Sequence, residues 1–246
     1  MVDMERLSTG VKDLDEKISG GYPRNRSMLV SGTSGSGKTV LGIHFINQCC
    51  LDGKKCVIIA TEETPEDLLA QAESIGRPLS EYFNNGNLVI QRVYEERAKY
   101  AMDVLTYDIE DIDQIQSNII GLLEKIPENT DVVLIDNVGV LTLNMSPNEF
   151  RAQFDALIHA LSKRNVTVML IMDMSSDERI GNIAAYSVYG LLRTSLKDNP
   201  FTGARERLIE ILKIRNTKIP LDPIRFEITP TGIVLSRKAP QGKIGV

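Results

Sequence analysis

Residues 32–39 read Gly-Thr-Ser-Gly-Ser-Gly-Lys-Thr, and this stretch constrains the chain more than any other. It fits G-x-x-x-x-G-K-[S/T], a loop whose backbone N–H groups curl inward around phosphate. Gly32, Gly35 and Gly37 permit the curl. Lys38 is placed to reach the β- and γ-phosphates, and the Thr39 hydroxyl to ligate Mg²⁺. The candidate phosphate-binding set is therefore Gly32, Thr33, Ser34, Gly35, Ser36, Gly37, Lys38 and Thr39, with Val40 after them. An apolar strand, Met28-Leu29-Val30, leads into the loop. A helix from about Lys38 to Leu51 leads out, so its positive N-terminus meets the anion.

The rest of the 246 residues fits one α/β domain, because short β-branched runs alternate with helical patterns. A hydrophobic content of 42% is enough for a full core, and a formal charge of −5 argues against a nucleic-acid coat protein. No run of about 18 apolar residues exists, and the first residues lack a basic-then-apolar leader pattern. The expectation is no membrane span and a cytoplasmic setting. Three cysteines, Cys49, Cys50 and Cys56, read as buried thiols of a reducing compartment. No Cys/His spacing suits zinc.

The pattern predicts a short helix over 8–18, capped by Ser8 or Thr9, and a strand over Cys56–Ala60. A helix opens at Thr64-Pro65-Glu66-Asp67 and another at Ser146-Pro147-Asn148-Glu149, where hydroxyl caps precede proline. Phe150, Phe154, Leu157, Ile158 and Leu161 form the core face of the second. Further strands are expected at Leu88–Ile90, 131–136 and 166–172, with a helix around 112–126. Strands near 187–193, 207–215, 224–229 and 232–236 follow without a long helix between them. That predicts an antiparallel C-terminal extension of a mostly parallel sheet. Residues 93–113 are ambiguous, and 238–246 read as a flexible tail of the domain spanning 1–246.

Three groups carry candidate chemistry. Asp136 ends an apolar strand, where ligands of open α/β sheets bind, and is the candidate second Mg²⁺ ligand, acting through water. Glu62 and Glu63 follow the second strand, where a carboxylate can deprotonate water beside a γ-phosphate. With Glu66 and Asp67 next in line, they read equally as solvated helix-start charges. Lys213 and Arg215 lie two apart on a strand and share a face. They read as a phosphate clamp or as a solvated strand end.

The ordered segments extend along most of the chain. They are Leu7–Val11 with Leu14-Asp15 and Gly20–Pro23, then Gly32–Thr39, Thr61–Glu66 and Leu134–Val138. Lys213–Thr217 and Phe226–Thr229 with Gly232-Ile233 complete them. Together they resemble the KaiC/RadA branch of the RecA-like ATPases. The resemblance implies a RecA-like P-loop NTPase fold and an ATPase that assembles into a ring, usually a hexamer, or a filament. ATP with Mg²⁺ would lie between subunits. Glu62, with Glu63 beside it, would activate water, and Lys213 and Arg215 would reach the neighbour's γ-phosphate. There are departures. Asn182–Tyr186 lacks the adjacent Ser-Thr pair of the circadian members, which argues against their phosphorylation cycle at that position. Asn216 stands where the family usually has Gly. Met172-Asp173-Met174-Ser175 lacks the recombinase Gln that senses γ-phosphate; Asp173 or Ser175 would have to substitute, and an acid there would repel the phosphate. Single-domain proteins of this type are typical of archaea.

The leading expectation is a switch-like, Mg²⁺-dependent ATPase in a homo-oligomer with an unidentified protein partner. A recombination modulator is the second. Its DNA loops would fall at 142–150 and 174–187, where Arg151 and Arg179 sit among Asp173, Asp177 and Glu178. So sparse a positive field does not favour nucleic acid. A non-hydrolysing ATP-gated scaffold is the third, against which Glu62 and Glu63 argue. Autophosphorylation at Ser187 or Thr194 is not favoured.

Overall fold

The computed structural model describes residues 4–93, 119–142, 145–174, 177–200 and 202–236. The expected tail at 238–246 and the ambiguous stretch from 94 to 113 lie outside these residues, as does most of the helix expected at 112–126.

The chain opens with β1 (Arg6–Leu7), α1 (Lys12–Lys17) and β2 (Tyr22–Pro23), in which the two short strands pair antiparallel. The helix expected over 8–18 is thus shorter, and neither Ser8 nor Thr9 caps it. Val11 is the N-cap residue, while the Asp15 carboxylate accepts hydrogen bonds from Ser8 Oγ and Thr9 N. Local side-chain bonds of this kind compete with a helical start. Next come β3 (Ser27–Gly32), α2 (Lys38–Leu51), β4 (Cys56–Ala60), α3 (Pro65–Ser74), α4 (Ser80–Asn84) and β5 (Leu88–Arg92). A 3₁₀ turn at Ile120–Lys125 stands where the sequence predicts α-helix.

β6 (Val132–Asp136), α5 (Pro147–Lys163), β7 (Thr167–Asp173) and α6 (Glu178–Ser187) follow, then β8 (Gly190–Asp198), β9 (Arg205–Ile214), β10 (Ile224–Thr229) and β11 (Gly232–Leu235). The caps read from sequence form: Thr64 Oγ1 accepts from Asp67 N, and Ser146 Oγ accepts from Glu149 N. α6 corrects the expectation of an open loop over 174–187. Asp177 caps it, and Ile180 and Ala184 bury its inner face. The other proposed loop, 142–150, likewise ends in helix, since α5 starts at Pro147.

Nine strands form one sheet in the order β11-β10-β9-β8-β3-β7-β6-β4-β5. Pairing is parallel from β8 through β5 and antiparallel from β8 out to β11. The expected antiparallel extension is therefore present. Strand residues alternate between two cores. Val30, Ile58, Leu134 and Ile171 face α2, while Leu29, Val57, Val133 and Leu170 face Phe150, Phe154, Leu157 and Leu161 of α5. This two-sided burial is what closes a parallel sheet. Among the described residues no helix is long and apolar enough to cross a membrane.

Candidate functional site

The order β7-β3-β8, with β6 and β4 beyond β7, brings three strand ends together around the loop after β3. Gly37 adopts φ +99° at the N-cap of α2, a left-handed angle that suits glycine, and a Cβ there would press on the Phe226 ring at 3.2 Å. The loop also binds itself. Ser36 Oγ donates to Thr33 O at 2.6 Å and shares a 2.7 Å hydrogen bond with Thr194 Oγ1. Ser36 and Thr194 are fully buried, so the Thr194 hydroxyl supports the loop from beneath. Gly32 lies there too, where a Cβ would strike Thr194 O.

A cleft of about 390 Å³ opens over this loop. Ser34, Gly35, Gly37, Lys38, Thr39, Val40, Glu62, Glu63 and Asp136 line it, as the sequence anticipates. Gly32 and Ser36 are buried beneath the loop and Thr33 is exposed, and none of the three lines the cleft. Asp173, weighed from sequence only as a disfavoured stand-in for the γ-phosphate sensor, completes the lining with Gln71, Asn137, Arg207 and Ile228, which were not singled out as ligands. Arg207 Nε donates to Gly35 O at 3.3 Å, which holds this cation over the loop.

Lys38 Nζ donates to Thr33 O at 2.9 Å and lies 2.6 Å from Asp173 Oδ1. Thr39 Oγ1 donates to Asp136 Oδ2 at 2.7 Å. Asn137 Nδ2 donates to Asp173 Oδ2 at 2.8 Å and, more weakly, to Glu62 Oε2 at 3.4 Å. Four carboxylates (Glu62, Glu63, Asp136, Asp173) therefore share the cleft with two cations (Lys38, Arg207). The excess of negative charge is visible in the acids. Burial above all, with Glu63 and Glu62 adding, pushes Asp136 up to about 6, against the opposing Thr39 hydrogen bond and Lys38. Glu63 is also raised, by burial first and then by Asp67 and Glu62. Its Oε2 is buried without a hydrogen-bond partner. The Thr39 hydroxyl and Asp136 carboxylate are hard oxygen donors of the kind Mg²⁺ takes one or two of, with water and phosphate as its other ligands.

Lys213 and Arg215 lie elsewhere. Both donate to Tyr186 O, at 3.4 and 3.3 Å. Lys213 pairs with Leu191, Ile214 with Gly190, and Gly190 with Met28 at the start of β3. The loop begins where β3 ends. The cations thus sit at the opposite end of the sheet from the cleft, roughly 15 Å away along a strand of this length. They do not clamp phosphate in their own chain's cleft. Burial and the neighbouring Arg215 lower the Lys213 pKa. Asn216 adopts φ +55°, a left-handed angle that Asn tolerates, so it takes the conformation open to the glycine it replaces.

A sequence profile described as the ATPase family KaiC matches residues 7–239. The chain is 30% identical over 223 residues to the circadian clock protein KaiC2 of Synechocystis, covering 87% of this chain but 36% of that protein. The chain therefore spans about a third of that relative's length. It is 29% identical to UPF0273 protein SSO1861 of Saccharolobus solfataricus, covering 94% of this chain and 83% of that one. In three dimensions it superposes on the crystal structure of the KaiC-like protein PH0186 from Pyrococcus horikoshii with TM-score 0.73 and 23% identity, covering 96% of this chain and all of that one. That likeness concerns the fold. With the profile running from β1 past β11 and the loop, strand order and acidic strand ends in place, this chain belongs to the KaiC family of ATPases.

Proposed function

We propose that this chain hydrolyses ATP, with Mg²⁺, in a head-to-tail homo-oligomer in which each cleft is completed by the next subunit. The observation that carries the reading is the convergence of the phosphate loop, the Thr39–Asp136 pair and the two glutamates on one cleft. Lys38, Arg207 and the loop N–H groups bind the phosphates. Thr39, with Asp136 through water, would hold Mg²⁺, and the ion would supply charge neutralisation at the phosphates. Glu62 or Glu63 accepts a proton from the attacking water as its oxygen bonds to the γ-phosphorus and the bond to the β-phosphate oxygen breaks. Burial and the neighbouring acids raise the Glu63 pKa, which makes that carboxylate a better proton acceptor. Lys213 and Arg215, too distant to act on their own cleft, face that of a neighbour. Relatives named as circadian clock proteins favour slow turnover used as a switch.

Phosphate release at saturating MgATP tests the assignment. Glu62→Gln and Glu63→Gln are each expected to keep nucleotide binding, and the variant that removes the base is expected to lose turnover by about 10²–10⁴-fold. Lys38→Ala is expected to lose binding itself. Full turnover in the Glu62→Gln, Glu63→Gln double variant would overturn the assignment.

A further inference from the structure

Asp173 has no part in the hydrolysis scheme above, yet it is held at both carboxylate oxygens. Oδ1 lies 2.6 Å from Lys38 Nζ, and Oδ2 accepts from Asn137 Nδ2 at 2.8 Å. The Lys38 side chain is only 8% exposed, and its other partner is the Thr33 carbonyl. An anion of the protein's own thus stands where the loop lysine would meet phosphate. Asn137 is itself fixed. Its Oδ1 accepts from Gly139 N at 2.8 Å, and its backbone N donates to Thr61 Oγ1 at 2.8 Å. The second carboxylate near its amide is Glu62, at 3.4 Å.

We propose that Asp173 is a displaceable latch, a resident carboxylate paired with Lys38 that competes with nucleotide phosphates for this ammonium and must be driven off for them to bind. This rests on reading the cleft as a nucleotide site. An ammonium group is a point charge with three donors, so a carboxylate and a phosphate compete for it directly. The competition lowers nucleotide affinity, and Asp173 adds repulsion if it stays beside bound phosphate. Its departure also frees the Asn137 amide, whose remaining acceptor is Glu62. Occupation of the phosphate site thereby supplies an orienting donor to a candidate water-activating carboxylate. Asp173 and Asn137 are positioning residues in this scheme, acting through Lys38 and Glu62.

The test is equilibrium binding of a fluorescent ADP analogue in EDTA, and of the corresponding ATP analogue with Mg²⁺, to the full chain. Asp173→Asn keeps an oxygen acceptor for Asn137 and removes the charge. The expected result is ADP binding about tenfold tighter than wild type, since a partly exposed ion pair no longer has to break. A structural prop would give the opposite sign. Unchanged or weaker ADP binding overturns the latch. So does weaker MgATP binding with metal-free ADP unchanged, which would place Asp173 on the metal side. Asp173→Ser provides the same reading if the Asn variant does not fold. Independently of any variant, a wild-type structure with ADP is expected to show Asp173 turned away from Lys38, and an intact contact beside bound phosphate would overturn the proposal. If wild type binds neither nucleotide at millimolar concentration, the nucleotide reading itself falls. If wild type binds and Asp173→Asn changes nothing, only the latch falls.

Discussion

Asp136 concentrates the electrostatic tension of the cleft. Its pKa rises to about 6 because burial disfavours the carboxylate, Glu63 and Glu62 repel it, and Thr39 and Lys38 only partly offset this. A carboxylate whose folded value exceeds its unfolded value favours folding at low pH, and that contribution is lost as pH rises through the folded value. The nucleotide-free protein therefore carries, above about pH 6, a destabilising contribution from this side chain of up to about 3 kcal/mol. Asp136→Asn is expected to raise the melting temperature at about pH 8 by several degrees, on the order of 1–2 kcal/mol, while abolishing Mg²⁺-dependent turnover. Melts from pH 8 down to 5 check this, because the advantage should shrink as wild-type Asp136 protonates. An equal melting temperature throughout would show that the site is not strained by charge. At this scale Asp136 was legible, since an acid ending an apolar strand beside a phosphate loop is a local pattern. Asn137 and Arg207 were not legible as ligands, and Asp173 was read only as a disfavoured γ-phosphate sensor, not as a partner of Lys38. Their proximity to Lys38 and Gly35 arises from strand order and register, which no run of neighbouring residues encodes.

Among the elements, α2 joins the site to the rest of the fold through His44. This side chain is fully buried. Its Nε2 accepts from Ile233 N of β11 at 2.9 Å, and its Nδ1 lies 3.2 Å from both Gly10 O, near α1, and Arg77 Nε. The C-terminal hairpin, the N-terminal segment and the phosphate-loop helix meet on one imidazole. Burial first, helped by Arg77 and opposed by the Gly10 carbonyl, lowers its pKa to about 4. Here the sign is the reverse of Asp136. The unfolded chain takes up a proton near pH 6.5 and the folded chain resists it, so stability present above about 6.5 is lost as pH falls toward 4, by up to about 3 kcal/mol. His44→Gln is expected to flatten the pH dependence of denaturant unfolding over that interval, whatever its cost at neutral pH. An unchanged acid limb would assign the dependence elsewhere. The same hairpin packs Phe226 against Gly37, so the antiparallel extension also forms a wall of the phosphate loop. Sequence patterning predicted these strands but not their contact with the loop, because α2 and β11 meet across nearly two hundred residues. It also missed α6, whose short amphipathic stretch lies among turn-like Ser and Asp residues.

For the whole molecule the consequence is directional. The cleft opens at one end of the sheet, and Lys213 and Arg215 gather on Tyr186 O at the other. A contact joining those two ends is head-to-tail, and such contacts close into rings or propagate as filaments. Both cations were legible as a pair, although β9 ends at Ile214 and Arg215 lies in the turn just beyond it. Which end of the sheet they occupy was not, since it depends on β9 running antiparallel to β8. The central claim is that catalysis needs two subunits, and complementation tests it most directly. Glu62→Gln and Arg215→Ala are each prepared and assayed for ATP turnover alone, then mixed in equal amounts with the oligomer mass recorded. The account predicts two inactive proteins. Their mixture should recover about a quarter of wild-type activity, because one interface in four joins an intact glutamate to an intact arginine. A mixture as inactive as its components, in an oligomer shown to exchange subunits, would contradict it.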